Sequence, residues 1–132
     1  MPKILLIEDE AQIRLLYKRQ LEHNNFTVDD AGSAEQAQDL LKENTYDLLM
    51  LDIMLPNMNG LKLLEKIRGD EKTKDLKVVV ISNLNISTFV KKAYELGAID
   101  HILKVEYTPD QIVEKIKGYF EKESSTAQKQ GD

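Results

Sequence analysis

Short apolar runs alternate with amphipathic stretches five times along this chain of 132 residues. The runs lie at residues 3–8, 27–30, 47–53, 77–82 and 101–104. Between them, apolar residues recur at helical spacing, as Ile13, Leu16, Tyr17 and Leu21 do. The first, third and fourth runs are almost continuously apolar, as expected of central strands buried on both faces. We therefore predict an α/β fold, a doubly wound sheet of five parallel strands with helices on both faces.

Several helix ends carry recognisable capping residues. Ser33 is followed three residues later by Gln36, which is the spacing of a capping box. Pro109 after Thr108 suits the first position of a helix, where its missing N–H costs nothing. Gly97 fits the position after a helix C-terminus. These signals place helix boundaries between the predicted strands.

The chain length suits one ordinary globular domain, which we expect at residues 1–120 without a separate output domain. The last predicted helix turns Ile112, Val113, Ile116 and Phe120 inward. Residues 121–132 contain almost no apolar side chain, so we expect a disordered tail there.

Charge and composition exclude several classes of function. With 23 acidic against 18 basic residues the net charge is −5, which disfavours binding to nucleic acid. The absence of cysteine excludes disulfides, thiolate zinc sites and cysteine nucleophiles. No apolar run has the length of a signal-peptide core or a membrane span, so we expect a cytoplasmic protein without a membrane partner.

Acidic side chains follow two of the predicted central strands. Glu8 and Asp9 end the first run, and Asp52 lies near the end of the third. Ligands of an open α/β sheet bind at the carboxyl ends of the strands. If the first and third strands are neighbours, the three carboxylates converge and require a cation to offset their repulsion. Oxygen ligands without nearby histidine or cysteine suit Mg²⁺.

Asp52 in such a site has the chemistry of a carboxylate nucleophile. Attack on phosphorus would give an acyl phosphate. Lys104, at the end of the fifth run, would offset charge on the phosphoryl oxygens, and Ser82, at the end of the fourth, would donate a hydrogen bond.

Taken singly, most of these residues also have an ordinary structural explanation. Acids such as Glu8 and Asp9 are common at helix N-termini, where they favour the helix dipole. Ser82 could be a strand-end hydroxyl, and Lys104 a solvated charge. Asp52 is harder to explain this way, because an acid within an apolar run is costly to bury without a cation or donors. Their combination at four strand ends favours function.

These residues resemble the receiver domain of bacterial response regulators over residues 3–120. The resemblance is carried by the motifs at residues 7–10, 51–60, 80–82 and 97–104. It implies a flavodoxin-like (βα)₅ fold with strand order 2-1-3-4-5. It also implies that Asp52 is phosphorylated from a phosphohistidine, by a sensor histidine kinase or a histidine phosphotransfer protein.

The resemblance further implies roles for the residues around Asp52. Asp9, Asp52 and the backbone carbonyl of Met54 would ligate Mg²⁺, with Glu8 assisting through water. Ser82 and Lys104 would bind the phosphoryl oxygens.

In the family, phosphorylation pulls a Ser or Thr, here Ser82, toward the phosphate, and an aromatic residue on the fifth strand, at the position of His101, swings inward. This change reshapes the surface of helix 4, strand 5 and helix 5 for a downstream protein, whose identity the sequence does not give. The protein would be a monomer or a phosphorylation-dependent dimer.

Three residues depart from the family pattern. His101 replaces the usual Tyr or Phe and would make the switch depend on pH if the imidazole is protonated. Asn83 replaces a small residue and would narrow access to Asp52. Val105 replaces the usual Pro after Lys104, and a cis bond without proline costs about 2.5–4 kcal/mol, so we predict a trans bond and a rerouted loop.

The leading hypothesis is a single-domain receiver that switches protein interactions and is no enzyme beyond self-catalysed phosphotransfer and dephosphorylation. The alternative is a pseudo-receiver, an interaction module with the same fold that no longer signals. A Mg²⁺-dependent phosphatase of the haloacid-dehalogenase type would want an acid two residues after the nucleophile, where Met54 stands.

Overall fold

The computed structural model describes residues 1–55, 60–83 and 87–131, with side chains described as far as residue 121. Within these residues, strands and helices alternate as predicted. The strands are β1 (Lys3–Ile7), β2 (Thr27–Ala31), β3 (Leu48–Asp52), β4 (Val78–Ser82) and β5 (Asp100–Leu103). The helices are α1 (Ala11–His23), α2 (Ala34–Glu43), α3 (Gly60–Gly69), α4 (Ser87–Glu95) and α5 (Pro109–Gly131). A 3₁₀ turn, Lys104–Glu106, follows β5.

All five strands are parallel, in the order β2-β1-β3-β4-β5, which confirms the predicted topology. Every residue of β3 and β4 is buried, because helices cover both faces of the sheet. Alternate residues of β1 serve different cores. Ile4 and Leu6 pack with residues of α1 and α5, whereas Leu5 and Ile7 pack with residues of α2, α3 and α4. Both faces of the central strands are therefore buried in a core, which explains why these strands are apolar throughout.

The predicted helix caps are confirmed. The Ser33 hydroxyl accepts a hydrogen bond from the Gln36 N–H at 3.2 Å. Thr108 and Gln111 form a reciprocal capping box, in which each side chain accepts from the backbone N–H of the other residue. Gly97 follows α4 with a φ of +85°, a conformation that favours glycine.

One prediction for α1 is wrong. Tyr17 and Leu21 are buried and Ile13 packs against the same core, but Leu16 is 44% exposed. Leu15, Leu16 and Tyr17 are consecutive, and successive helical residues point about 100° apart, so all three cannot face the sheet. Ile13, Tyr17 and Leu21 follow one another at intervals of four residues, so they lie on one face of the helix, and this face packs against the core.

Arg68, close to the end of α3, braces two loops at the amino-terminal edge of the sheet. Its guanidinium donates hydrogen bonds to the carbonyl oxygens of Leu96 and Gly97, which follow α4. It also donates to the carbonyl oxygens of Lys74 and Leu76, which precede β4. Burial lowers the pKa of Arg68, although the nearby Asp75 opposes that shift. One side chain therefore satisfies four backbone acceptors from two connections.

The outer strand β2 carries two acidic residues, each held by a partner from elsewhere. Asp30 accepts hydrogen bonds from Arg14 and Lys18 of α1, both at 2.9 Å. Asp29 accepts from the Tyr46 hydroxyl at 2.7 Å. These contacts fasten the edge of the sheet to α1 and to the segment before β3.

The predicted inward face of α5 is present: Ile112, Val113 and Ile116 are buried, and Phe120 packs on Phe26 with ring centroids 5.5 Å apart. The side chains of residues 122–132 lie outside the described part of the chain, so the expected disorder of residues 121–132 stays a prediction. Among the helices that the structure describes, none is long and apolar enough to cross a membrane.

Candidate functional site

The acidic residues meet at the carboxyl ends of β1 and β3. Asp52 is the last residue of β3, and Glu8 follows β1 directly; both are buried, whereas Asp9 is exposed. One carboxylate oxygen from each of the three lies within 4.8 Å of the others. The structure therefore brings Glu8, Asp9 and Asp52 together, as the sequence predicts.

Strand register explains this convergence. Ile7 of β1 pairs with Leu51 of β3, so the next residues, Glu8 and Asp52, emerge side by side. Ser82 pairs with Leu103 across β4 and β5, so Lys104 leaves the sheet one residue beyond Ser82. The four polar strand ends thus share one edge of the sheet.

Lys104 lies between two of the carboxylates. Its ammonium nitrogen is 2.5 Å from Glu8 Oε2 and 3.0 Å from Asp52 Oδ2. The sequence placed Lys104 in the site but gave no reason to expect a bond to Glu8. This ion pair offsets part of the negative charge that the two buried acids bring to the site.

Backbone groups hold the remaining carboxylate oxygens. The Glu10 N–H donates to Glu8 Oε1 at 3.2 Å, and the Met54 N–H donates to Asp52 Oδ1 at 2.9 Å. Arg14 donates to the Glu8 carbonyl oxygen at 2.8 Å, a contact that no local sequence pattern indicates. Both buried carboxylates are therefore fixed in orientation.

Gly60, the first residue of α3, packs directly on the backbone that follows β3. Its N–H donates to the Ile53 carbonyl oxygen at 2.6 Å. A Cβ at this position would lie 2.6 Å from the Asp52 carbonyl oxygen and 2.6 Å from the Ile53 Cα. Only glycine permits this approach, which supports the backbone directly after Asp52. Residues 56–59 of the motif lie outside the described residues.

Burial controls the ionisation of the site. Desolvation raises the pKa of Glu8 to about 7, with Lys104 opposing the shift and the charge of Asp52 adding to it. Burial works against the charged form of Lys104, but its bonds to Glu8 and Asp52 prevail and raise the pKa of that ammonium. Lys104 therefore stays charged, but its single ammonium group cannot balance the three carboxylates of Glu8, Asp9 and Asp52.

The donor set fits a hard cation. The three side chains offer only oxygen, which is what Mg²⁺ prefers. Oxygens on opposite sides of one Mg²⁺ lie about 4.2 Å apart at its usual bond length. Oxygens in adjacent positions lie about 3 Å apart, so the three carboxylates, whose oxygens lie within 4.8 Å of one another, would move closer together on binding the ion. The acidic cluster is therefore consistent with Mg²⁺ binding.

Ser82 and His101 are in direct contact. Ser82 is fully buried at the end of β4, and its Oγ lies 3.2 Å from Nε2 of the half-buried His101. His101 pairs with Val80, so it is diagonal to Ser82 on the same face of the sheet. The register could have indicated this contact, but the sequence alone did not give the register.

The other departures from the family pattern lie at the rim. Asn83 is exposed, and Val105 is 75% exposed in the turn after Lys104. The described part of the chain contains no cis peptide bond, so the predicted trans bond before Val105 is confirmed. The chain there forms the 3₁₀ turn Lys104–Glu106, and the expected difference from the family's loop stays a prediction.

Comparison with known protein families gives a match over most of the chain. Residues 4–117 match the model for the response regulator receiver domain. Transcriptional regulatory protein SrrA of Staphylococcus aureus is 31% identical over 130 residues, which are 98% of this chain and 52% of SrrA. The chain thus spans about half the length of the curated relatives it matches.

Solved structures give the same likeness. A CheY-like receiver domain protein from Methanospirillum hungatei superposes with a TM-score of 0.85 at 25% identity, covering 96% of this chain and 98% of that one. Response regulator TrrA of Thermotoga maritima, solved in complex with Mg²⁺ and beryllium fluoride, gives 0.77 at 30% identity, covering 89% and 98%.

Proposed function

The chain belongs to the response regulator receiver family, and on that premise we propose that Asp52 accepts a phosphoryl group from a phosphohistidine. The observation that carries this proposal is the convergence of two further carboxylates and one ammonium group around the buried Asp52. A sensor histidine kinase or a histidine phosphotransfer protein is the proposed donor. A separate protein, recognised by the phosphorylated form, is the proposed target.

The transfer needs only a nucleophile and charge stabilisation. An oxygen of Asp52 attacks the phosphorus, forming a P–O bond as the P–N bond of the donor breaks. The electron pair of that P–N bond returns to the imidazole, which leaves neutral if its other nitrogen carries a proton. The acceptor becomes an acyl phosphate, and positioning and electrostatics lower the barrier.

Mg²⁺ is the proposed cofactor. Asp9, Asp52 and the backbone carbonyl of Met54 would hold it, with Glu8 acting through water. When bound, the cation would offset charge on the phosphoryl oxygens. The oxygen-only donor set and the spacing of the carboxylates support this assignment.

Lys104 and Ser82 are the proposed contacts of the phosphoryl oxygens. Lys104 already touches Asp52 Oδ2, so a phosphoryl group on Asp52 would form within reach of its ammonium. Ser82 ends the neighbouring strand β4, and its hydroxyl would supply a hydrogen bond. His101, in contact with Ser82, would pass the change to the surface formed by α4, β5 and α5.

The experiment is an intact mass measurement after incubation with Mg²⁺ and acetyl phosphate. We expect one phosphoryl adduct in the wild-type protein and none in Asp52→Asn. Asp39→Asn, which alters an exposed acid of α2, is the matched control and should still be modified. No adduct in the wild type, or an adduct that survives Asp52→Asn, would reject the proposal.

A non-signalling interaction module is the second candidate. Lys104 balances part of the acidic charge without any metal, which is compatible with a site that is not phosphorylated. His101, Asn83 and Val105 also depart from the family pattern. This candidate predicts that partner binding is the same for wild type and Asp52→Asn, with and without a phosphodonor. A gain in affinity on phosphorylation argues against it.

A further inference from the structure

Ser82 has one hydroxyl proton and two acceptor lone pairs, so it can donate a single hydrogen bond. A phosphoryl oxygen on Asp52 could only accept that proton. In the structure, Ser82 Oγ already lies 3.2 Å from His101 Nε2. The imidazole and the phosphoryl group would therefore compete for the same hydroxyl proton.

We propose that His101 is a positioning residue, whose imidazole sets the direction of the Ser82 hydroxyl proton. This role rests on the phosphorylation of Asp52 proposed above. A bare Nε2 accepts the proton and holds it away from the phosphoryl group. A protonated Nε2 donates to Ser82 Oγ instead and leaves the hydroxyl proton for the phosphoryl oxygen.

We assign Ser82 as the donor in the unphosphorylated protein. A bare imidazole nitrogen accepts a hydrogen bond more strongly than a hydroxyl oxygen does, and it faces that hydroxyl. On phosphorylation the hydroxyl turns to the new oxygen, and its hydrogen bond to Nε2 is lost. The ring thereby opposes the first contact that the phosphoryl group makes with β4.

The sheet holds the two side chains in place. Val80 pairs with His101 and Ser82 with Leu103, which puts Ser82 and His101 on one face of neighbouring strands. The His101 N–H donates to Asp100 Oδ1 at 2.8 Å, and the Tyr119 hydroxyl of α5 donates to the same carboxylate. Asp100 thus connects the backbone at His101 to α5. These bonds fix the position of β5 and therefore of the imidazole beside Ser82.

A double-mutant cycle tests the role. The rate of Mg²⁺-dependent phosphorylation by acetyl phosphate is measured for wild type, His101→Phe, Ser82→Ala and the double variant. Phenylalanine keeps a planar ring but offers no acceptor, so His101→Phe should speed phosphorylation by roughly 2- to 10-fold, the range of one net hydrogen bond. In the Ser82→Ala background the same substitution should change the rate by less than about 1.5-fold.

A merely structural role would give a different result. If His101→Phe alters the rate equally with Ser82 present and absent, or slows it with Ser82 present, the proposal is overturned.

Nitrogen-15 spectra of the imidazoles give a direct readout that needs no variant. In the unphosphorylated protein, Nε2 of His101 should show the shift of a bare nitrogen that accepts a hydrogen bond. Adding Mg²⁺ and beryllium fluoride, a mimic of the phosphoryl group, should change that shift. His23, the other histidine, is exposed at the end of α1 and should not respond. A protonated Nε2 in the unphosphorylated protein overturns the assignment.

The two proposals fail separately. If wild-type protein forms no adduct, phosphorylation of Asp52 is rejected, and the spectrum of the unphosphorylated protein still decides whether Nε2 accepts from Ser82. If the adduct forms but the cycle shows no dependence on Ser82, only the role of His101 is rejected.

Discussion

Lys104 joins Glu8 and Asp52 through a single ammonium group, 2.5 Å from one carboxylate and 3.0 Å from the other. Both acids are buried, and the lysine side chain is only 12% exposed. The pairing links the ends of β1 and β3 to the turn after β5. It also means that a metal ion and Lys104 would be neighbours at the same acidic cluster.

Removing this ammonium should destabilise the metal-free protein. Lys104→Met leaves two buried carboxylates without their cation, which should lower the free energy of unfolding by about 3–5 kcal/mol in EDTA. Urea denaturation measures the change, and Mg²⁺ should restore part of it. Lys117→Met is the control, because its ion pair with Glu114 lies at the surface, with side chains 35% and 70% exposed, and is worth at most about 0.5 kcal/mol. Similar losses in both variants would contradict the expectation.

The ionisation of Glu8 should make stability depend on pH. Its pKa rises from 4.5 to about 7 on folding, so the folded protein binds this proton more tightly than the unfolded chain does. Stability from this group is therefore complete below about pH 4.5 and is lost as the pH rises through about 7.

Glu8→Gln isolates that contribution, because glutamine does not titrate. In EDTA, the unfolding free energy of wild type minus that of the variant should fall by up to about 3 kcal/mol between acidic and mildly alkaline pH. Denaturation curves across that range measure the difference. Parallel pH profiles for the two proteins would show that Glu8 ionises normally.

Gly60 and Gly69 start and end the same helix but differ in their surroundings. Gly60→Ala places a Cβ against backbone atoms that cannot yield, so we expect a loss of about 1–3 kcal/mol and weaker Mg²⁺ binding. A Cβ at Gly69 meets nothing within 4 Å, so Gly69→Ala should be neutral or slightly stabilising. Thermal unfolding and Mg²⁺ titration measure both effects. Equal behaviour of the two variants would argue against the close approach at Gly60.

Arg68 should contribute to stability well beyond an ordinary surface residue. Arg68→Met leaves four carbonyl oxygens without their donor, and we expect a loss of about 2–4 kcal/mol with the fold retained. Lys66→Met, two residues earlier in α3 and exposed, is the control and should stay within about 0.5 kcal/mol of wild type. Urea denaturation compares them, and a small effect at Arg68 would mean that water replaces its bonds.

The sequence predicted the features that follow from local pattern. Continuous apolar runs identified the buried strands, and acids placed directly after two of them indicated where a cation would be needed. Strand order came from the family resemblance, because periodicity says which residues are buried and not which strands are neighbours. Convergence of Glu8, Asp9 and Asp52 followed once that order was known.

Contacts between distant residues could not be read in the same way. Lys104 and Glu8 are 96 positions apart, and nothing local distinguishes this lysine from a solvated one. The contact between Ser82 and His101 depends on the register of β4 and β5. Leu16 was misassigned because three consecutive apolar residues leave the inward face of α1 ambiguous. In each case the sequence lacked the three-dimensional position of one element relative to another.

The acids on the outer strands also bear on how copies of this protein behave at high concentration. β2 carries Asp29 and Asp30, and β5, at the opposite side of the sheet, carries Asp100. An open strand edge is a template for pairing with another chain, and charged residues along it oppose such growth. We therefore expect the charges on β2 and β5 to disfavour the joining of two copies into one longer sheet.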